Sequence, residues 1–405
     1  MSKLANLLCV IALLTGGRAV WAQTTLHEPE ERVIRYEVSD DLQDPVSVLA
    51  RKVRSGHGRF KFEPGRGYLD SLLKALSIPV SSQCLVFSKT SLQPDRVSPA
   101  TPRAVYFNDD TYVSWVPGGD VIDISSVDPN KGPIFYTLAQ RTGGAPRFTR
   151  DKQCMRCHMG AKTLDVPGHL LRSVVTSADG RPLSQIDGFV SGHESPYQFR
   201  WGGWYVTGLL AADVHRGAAG VPALVATRYL SPGSDVIALM VLSHQVKMHN
   251  LITRANYEAR FAEDAKMSAE NANWSARRIS NAAEPLLEYL LFRDEPALHG
   301  PVKASSAFAE EFERQGPRDS KGRSLRDLDL TTRLMRYPCS YLIYSRAFDA
   351  LRPVMKNYLW RRLFEILTGK DGSKTYAGMP AQDREAVFDI LRETKPEFAA
   401  WLRSR

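Results

Sequence analysis

The most informative absence in this chain of 405 residues is a long hydrophobic run after residue 22. No later stretch reaches 18 consecutive apolar residues. The nearest one, residues 221–243, is interrupted by Arg228, Pro232 and Asp235. A membrane-spanning helix needs about 20 consecutive, mostly apolar residues. We therefore predict no membrane span in the mature chain.

Motifs of several common enzyme classes are also missing. The chain contains no H-E-x-x-H, no G-x-S-x-G, no G-x-x-x-x-G-K-[ST] and no G-x-G-x-x-G. These patterns respectively hold a catalytic zinc, present a nucleophilic serine, bind nucleotide phosphates and bind dinucleotides. Their absence directs the search toward other chemistry. The sequence also shows neither internal repeats nor low-complexity tracts, so a solenoid is not expected.

Basic residues are in excess but do not cluster. The formal net charge is +9 at pH 7, yet no run of five or six lysines and arginines occurs. Nucleic-acid-binding proteins concentrate positive charge on one face or segment. We predict no nucleic-acid partner, whereas a positive surface weakly favours acidic protein partners.

Cysteine is scarce, and this makes the positions of two of them significant. Cys154 and Cys157 belong to the pentapeptide CMRCH, which His158 completes. With 5 Cys and 9 His in the chain, random placement yields C-x-x-C-H in roughly one chain in a thousand. This pattern attaches a c-type haem: each thiol adds to a vinyl group and the histidine binds the iron. Zinc would need two further ligands, but no second C-x-x-C and no H-x-x-x-H exists.

The first 22 residues have the features of a cleaved export signal. Lys3 supplies a positive start, residues 4–14 are apolar, and Val20-Trp21-Ala22 forms a small-residue cleavage site before Gln23. We predict that the mature protein is periplasmic. Because bacteria attach haem to C-x-x-C-H in that compartment, the signal and the motif support each other.

Two cysteines remain after the haem site and the signal are assigned. Cys84 and Cys339 would share an oxidising compartment, where they could form a disulfide. Buried free thiols are the default reading, because the sequence does not show how far apart they lie.

The overall pattern predicts an α+β fold. We divide the chain into residues 1–22 (signal), 23–55 (a partly ordered lead-in), 56–150 (β-rich), 151–220 (a haem-binding region with a long irregular segment) and 221–405 (all helical). Asp109 and Asp110 are expected in a turn between two strands, and Asp151 is expected to cap the attachment helix. The predicted strands are residues 85–87, 104–107, 112–116, 121–124 and 134–138, and the predicted helices are residues 68–76, 235–266, 276–292, 339–350, 353–368 and 381–394.

The second axial ligand of the iron is the main uncertainty at the site. His193 is the best candidate, because it lies in an aromatic-rich irregular segment that would fold over a haem. An open sixth position is equally consistent with the sequence. The other candidates are His169, His215, the pair His244 and Met248 on one helix face, and Met335, Met355 and Met379.

The stretch Arg200-Trp201-Gly202-Gly203-Trp204-Tyr205 concentrates large side chains. Arg200 is a candidate partner for a haem propionate, and Trp204 a candidate hydrogen-bond donor to one. The alternative is an aromatic cluster in the core around a tight turn, and the residues favour neither reading.

Taken together, these stretches resemble a family of exported bacterial proteins described as cytochrome c domain-containing. The similarity lies in CMRCH, Val166-Pro167-Gly168, the residues from His193 to Pro196, the residues from Arg200 to Gly208, and further segments at 85–91, 106–110 and 336–345. The resemblance implies one covalent haem c held by Cys154, Cys157 and His158, and it implies no substrate. It also keeps His215 as a candidate ligand.

Two redox functions and one non-redox function follow. The first is electron transfer by a six-coordinate haem, with a redox partner protein. The second is a haem c-dependent oxidoreductase, peroxidase- or oxidase-like, with an open or displaceable distal position. The chain is larger than a small electron carrier requires, which favours this second reading. The third is a binding module in which CMRCH carries no haem.

Overall fold

The structure of the chain is a computed structural model. It describes residues 26–38, 40–57, 60–143, 146–184, 189–210, 214–265 and 272–405. The predicted export signal, residues 1–22, lies outside the described residues.

An antiparallel sheet of six strands forms the N-terminal half. The strands follow one another in sequence order across the sheet, so each strand pairs with the next one along the chain. Five of them confirm the predicted strands, and the sixth was not predicted. They are β1 (Cys84–Val86), β2 (Arg103–Phe107), β3 (Thr111–Trp115), β4 (Val121–Asp128), β5 (Gly132–Ala139) and β6 (Phe148–Arg150).

The sheet separates two hydrophobic cores. Successive side chains of a strand point to opposite faces. Cys84 and Val86 therefore enter the core shared with the C-terminal helices, the first core. Leu85, between them, enters the core under the N-terminal helices, the second core. Because both faces are covered, all three residues of β1 are buried.

The predicted lead-in is more ordered than expected. It contains α1 (Glu28–Ile34) and α2 (Pro45–Arg54), and α3 (Leu69–Ala75) follows as predicted. Asp44 starts α2 by accepting hydrogen bonds from the backbone N–H of Val46 and Ser47, both at 3.0 Å. Its other oxygen accepts from the Tyr136 hydroxyl at 2.8 Å. This tertiary contact with β5, which local periodicity does not reveal, ties the short helix to the sheet.

Helices dominate the C-terminal half, as predicted. The long ones are α6 (Val236–Ala265), α7 (Ala272–Leu290), α10 (Pro353–Leu367), α11 (Ala381–Thr394) and α12 (Pro396–Arg403), of which α12 was not predicted. The helix expected over residues 339–350 is instead a 3-10 turn, Tyr341–Tyr344, followed by α9 (Arg346–Asp349). The reason is local: the side chains of Ser340 and Ser345 each accept a backbone hydrogen bond and so start a separate turn.

The remaining elements are short. They are α4 (Met155–His158), α5 (Ala223–Ala226), α8 (Phe308–Glu313), β7 (Arg172–Ser173), β8 (Phe189–Val190), β9 (Tyr205–Val206), β10 (Leu209–Leu210), β11 (Ala218–Ala219) and β12 (Val302–Lys303). Asp109 and Asp110 lie in the turn between β2 and β3, as expected. Most of the described residues between 151 and 220 are irregular, also as expected.

Two further observations concern the cysteines and the membrane. Cys84 and Cys339 are both buried free thiols and are not bonded to each other. Within the described ranges, no helix combines the length and the apolar character needed to cross a membrane.

Asp235 connects the start of α6 to a second segment of chain, and this generates a stability prediction. Its Oδ1 accepts from the N–H groups of Ile237 and Ala238, and its Oδ2 accepts from those of Ser305 and Ser306. We expect Asp235→Ala to lower the free energy of unfolding by about 2–3 kcal/mol, because a helix cap is lost and buried donors are left without partners. Denaturant titration followed by circular dichroism measures the effect.

The control is Asp120→Ala, at a carboxylate that is 77% exposed. It should change the free energy of unfolding by less than about 0.5 kcal/mol. Equal losses in the two variants would contradict a special role for Asp235.

Candidate functional site

The attachment motif directly follows the edge strand of the sheet. β6 ends at Arg150, and Asp151 then accepts a hydrogen bond from Gln153 N–H at 2.9 Å, which confirms its predicted capping role. One 3-10 turn, Lys152–Cys154, continues into α4. Cys154 is half-buried and Cys157 is exposed. The two thiols therefore lie on consecutive turns at the surface of the sheet domain.

His158 is held by a reciprocal pair of hydrogen bonds with Gly168. The ring Nδ1 lies 2.8 Å from the Gly168 carbonyl oxygen, and Gly168 N–H donates to the His158 carbonyl at 2.9 Å. Because a carbonyl only accepts, Nδ1 carries the proton and Nε2 keeps a free lone pair. The ring also packs at 4.6 Å from the Phe135 ring. Metal-binding histidines characteristically donate their second N–H to such a carbonyl.

Burial keeps the His158 imidazole and the Cys154 thiol uncharged at neutral pH. Burial lowers the pKa of His158 to about 4; the Gly168 hydrogen bond opposes this shift, and the nearby Arg103 charge adds to it. Burial raises the pKa of the Cys154 thiol to about 12, with Asp151 and Asp123 contributing in the same direction. At pH 7 the site therefore presents a neutral imidazole and a protonated thiol.

This geometry fits a c-type haem. A neutral Nε2 is the form that ligates iron, and the two thiols have the spacing that thioether attachment needs. Among the described residues, no group of three or more His, Cys, Asp or Glu is arranged to hold a metal ion. A c haem does not need such a group, since the porphyrin supplies four of the iron's ligands.

His169, one of the predicted candidates, forms a buried pair with the neighbouring His249. Their rings lie 5.9 Å apart, and both contact the Tyr112 ring. The Nε2 atom of His169 lies 2.6 Å from the Ser125 hydroxyl, and that of His249 lies 2.7 Å from the Asp109 carbonyl. Both Nδ1 atoms are buried without a hydrogen-bond partner among the described residues.

His193 and His244 form a second buried pair in the first core. Their Nδ1 atoms lie 2.7 Å apart, and both rings stack against Tyr289. The remaining nitrogens also have partners: His244 Nε2 lies 2.7 Å from the Ser340 hydroxyl, and His193 Nε2 lies 3.4 Å from the Arg293 carbonyl. All four nitrogens are therefore in contact with other protein groups.

The direction of the His158 ring bears on the search for a distal ligand. Its Nδ1 points at Gly168, the residue before His169, and the two ring nitrogens of an imidazole point away from each other. Nε2 is therefore the nitrogen of His158 that would bind iron. The assignments of His169 and of His193 as distal ligand stay predictions.

The other predicted ligands are distributed through the first core. Met248, Met335 and Met355 are fully buried there, and Met379 packs against it. His215 is half-buried, with its ring 5.5 Å from that of Trp201. The structure does not bring these side chains together with CMRCH.

The stretch from Arg200 to Trp204 is buried in the core, as the second interpretation of its sequence predicts. Arg200 is buried and donates to the carbonyls of Ser195, at 2.7 Å, and His193, at 2.5 Å. The Trp204 indole N–H donates to the Arg172 carbonyl at 2.8 Å. Both donors were candidates for hydrogen bonds to a haem, but in the structure they bond to backbone carbonyls of the protein. The Arg200 bonds hold the loop around His193 in place.

Sequence reasoning missed two charged residues close to the motif, Arg103 and Asp123. The Nε of Arg103 and the Oδ1 of Asp123 are buried without hydrogen-bond partners in the described part of the chain. Asp123 alternates with Ile122 and Ile124 on β4, a pattern that normally indicates a solvent-facing side chain. Only the pairing of the strands shows that this face is covered.

The buried histidines generate a pH prediction. Burial, the main cause, lowers the pKa of His244 to about 3 and that of His249 to about 4. Below about pH 6.5, these histidines therefore bind protons in the unfolded chain but not in the folded chain. The free energy of unfolding consequently falls as pH decreases from 6.5 toward 4. We expect His249→Gln to reduce the slope of unfolding free energy against pH by up to about 1.4 kcal/mol per pH unit.

Urea titrations at pH 7, 6 and 5 measure this slope. His57→Gln, at an exposed ring, serves as the control and should leave the slope unchanged. An unaltered slope in His249→Gln would contradict the prediction.

Comparison of the chain with protein-family models, with curated proteins and with solved structures gives no match. The resemblance to exported cytochrome c domain-containing proteins accordingly stays a prediction based on the motifs themselves.

Proposed function

We propose that this chain is an exported c-type haem protein that transfers electrons, with haem attached through Cys154 and Cys157. His158 Nε2 is the axial ligand on one face. The observation that carries the proposal is the hydrogen bond from His158 Nδ1 to the Gly168 carbonyl, at 2.8 Å. It fixes the tautomer in which Nε2 is free to bind iron, within a motif whose spacing already suits haem attachment.

The bound haem would supply an iron that gains and loses one electron. The chain supplies orientation. The Gly168 carbonyl and the Phe135 ring hold the His158 ring in place. This preorganised environment would let the redox state change with little rearrangement of the protein.

A haem-dependent oxidoreductase is the second candidate. It is favoured by the partners of the predicted distal histidines: both nitrogens of His193 and of His244 already contact protein groups. A displaceable or open sixth position would follow if no other side chain reaches the iron. The cellular setting is the same in both cases, a periplasm with a redox partner whose surface is acidic.

Loss of the thiols tests haem attachment. We expect wild-type protein, produced in a periplasm with haem-attachment machinery, to carry one covalent haem. Cys154→Ser with Cys157→Ser should carry none, because no thioether can form. The pyridine haemochrome spectrum and the intact mass of the purified protein measure this.

The matched control is Cys339→Ala, which removes a buried free thiol elsewhere and should retain full haem content. Wild-type protein without covalent haem would overturn the proposal and leave the non-redox binding module as the remaining reading.

The second axial position has its own test. If the protein is an electron carrier, carbon monoxide should not change the spectrum of the reduced form, because six-coordinate low-spin iron resists exchange. His193→Gln should have the same spectrum, since both nitrogens of His193 have partners in the core. A carbon monoxide complex in wild-type protein would favour the oxidoreductase. A change of spin state in His193→Gln alone would identify His193 as the distal ligand.

A further inference from the structure

A band of polar side chains crosses one face of the sheet. It consists of Arg103 on β2, Ser114 on β3, Asp123 on β4 and Thr137 on β5, and all four are half-buried. Val105, Phe107, Tyr112 and Val127 on the same face belong to the first core. We refer to these four residues as the polar band.

The strand register places the members of the polar band side by side. Asp123 pairs directly with both Ser114 and Thr137. Ser114 also pairs with Val105, so Arg103, two residues before Val105, points to the same face. The small side chain of Ser114 leaves room for the longer Arg103 side chain to lie across β3 toward Asp123.

The polar band lies next to the attachment motif. Phe135, whose ring contacts His158, is opposite Ser125, and Asp123 is two residues from Ser125 on the same face. Diagonal neighbours of this kind are within reach of large side chains. The electrostatics agree, because Arg103 acts on the pKa of His158 and Asp123 acts on that of Cys154.

Two polar atoms of the polar band lack hydrogen-bond partners among the described residues. Arg103 Nε and Asp123 Oδ1 are buried without hydrogen bonds to described residues, and no ion pair joins the two side chains. An unpaired buried polar atom costs about 1–3 kcal/mol, so these two atoms need an explanation, and a bound group that pairs with them is one. Both residues keep some solvent exposure, so the protein covers this part of the face only partly.

We propose that the polar band forms one wall of the haem recess, with Arg103 pairing with a haem propionate and Asp123 positioning the Arg103 guanidinium. This inference rests on the proposed function. Arginine suits the role because its planar guanidinium binds a carboxylate through two parallel hydrogen bonds and never loses its charge. Thr137, beside Asp123, completes the wall with a further hydroxyl.

The test uses the full-length holoprotein and measures the midpoint reduction potential of the haem at pH 8. Burial raises the pKa of Asp123 to about 6, so its carboxylate is ionised at pH 8. Arg103→Gln should shift the potential downward, because the positive charge that favours the reduced haem is lost. Asp123→Asn should shift it upward. Arg103→Gln should also move the propionate bending band in the resonance Raman spectrum.

Arg96→Gln is the matched control, because its guanidinium is 52% exposed and pairs with Asp120 at the surface. It should leave both the potential and the Raman band unchanged. Potentials of Arg103→Gln and Asp123→Asn within the range of this control would overturn the inference, as would an unmoved propionate band. If Arg103→Gln does not fold, the isosteric variant Asp123→Asn tests the inference by itself. An upward shift of its midpoint potential supports the inference, and an unchanged potential overturns it.

The two proposals fail in different ways. Wild-type protein without covalent haem refutes the proposed function. Wild-type protein that carries haem, together with variants whose potentials equal that of the control, refutes only the role of the polar band.

Discussion

The site depends on the hydrogen bond between His158 Nδ1 and the Gly168 carbonyl. It ties the short attachment helix to the segment that follows it and selects the tautomer with a free Nε2. It also sets the direction in which that nitrogen points, and therefore the side on which a haem would bind. Without it, only packing, chiefly against the Phe135 ring, would orient the His158 imidazole.

The sheet and α6 both contribute residues that hold the segments on either side of this hydrogen bond. Phe135 on β5 contacts the His158 ring, while His169 next to Gly168 is anchored to Ser125 on β4 and to Asn250 on α6. Burial keeps these histidines neutral, since a cation placed there would lose its hydration. The same burial that orders the site thus makes the fold sensitive to acid.

Much of the fold was predictable, because periodic patterns reflect burial. The β-rich half and the helix over residues 381–394 match the structure closely. The lead-in was underestimated, because α2 depends on contacts of Asp44 with Tyr136, far away in the sequence. At the site, spacing alone identified the three residues of the motif. The neighbours of His158 could not be read in this way, because they come from strands and loops that meet only in the folded chain.

The sequence by itself determined the chemistry that is available: two thiols and an imidazole at the spacing of a haem attachment site. Covalent spacing is a local property that folding does not alter. Only the tertiary structure decided which nitrogen of His158 is free and where His193 lies. It also decided that Arg103 and Asp123 share a half-buried face beside the motif. Orientation, burial and the pairing of charges depend on contacts between distant segments, which no local pattern encodes.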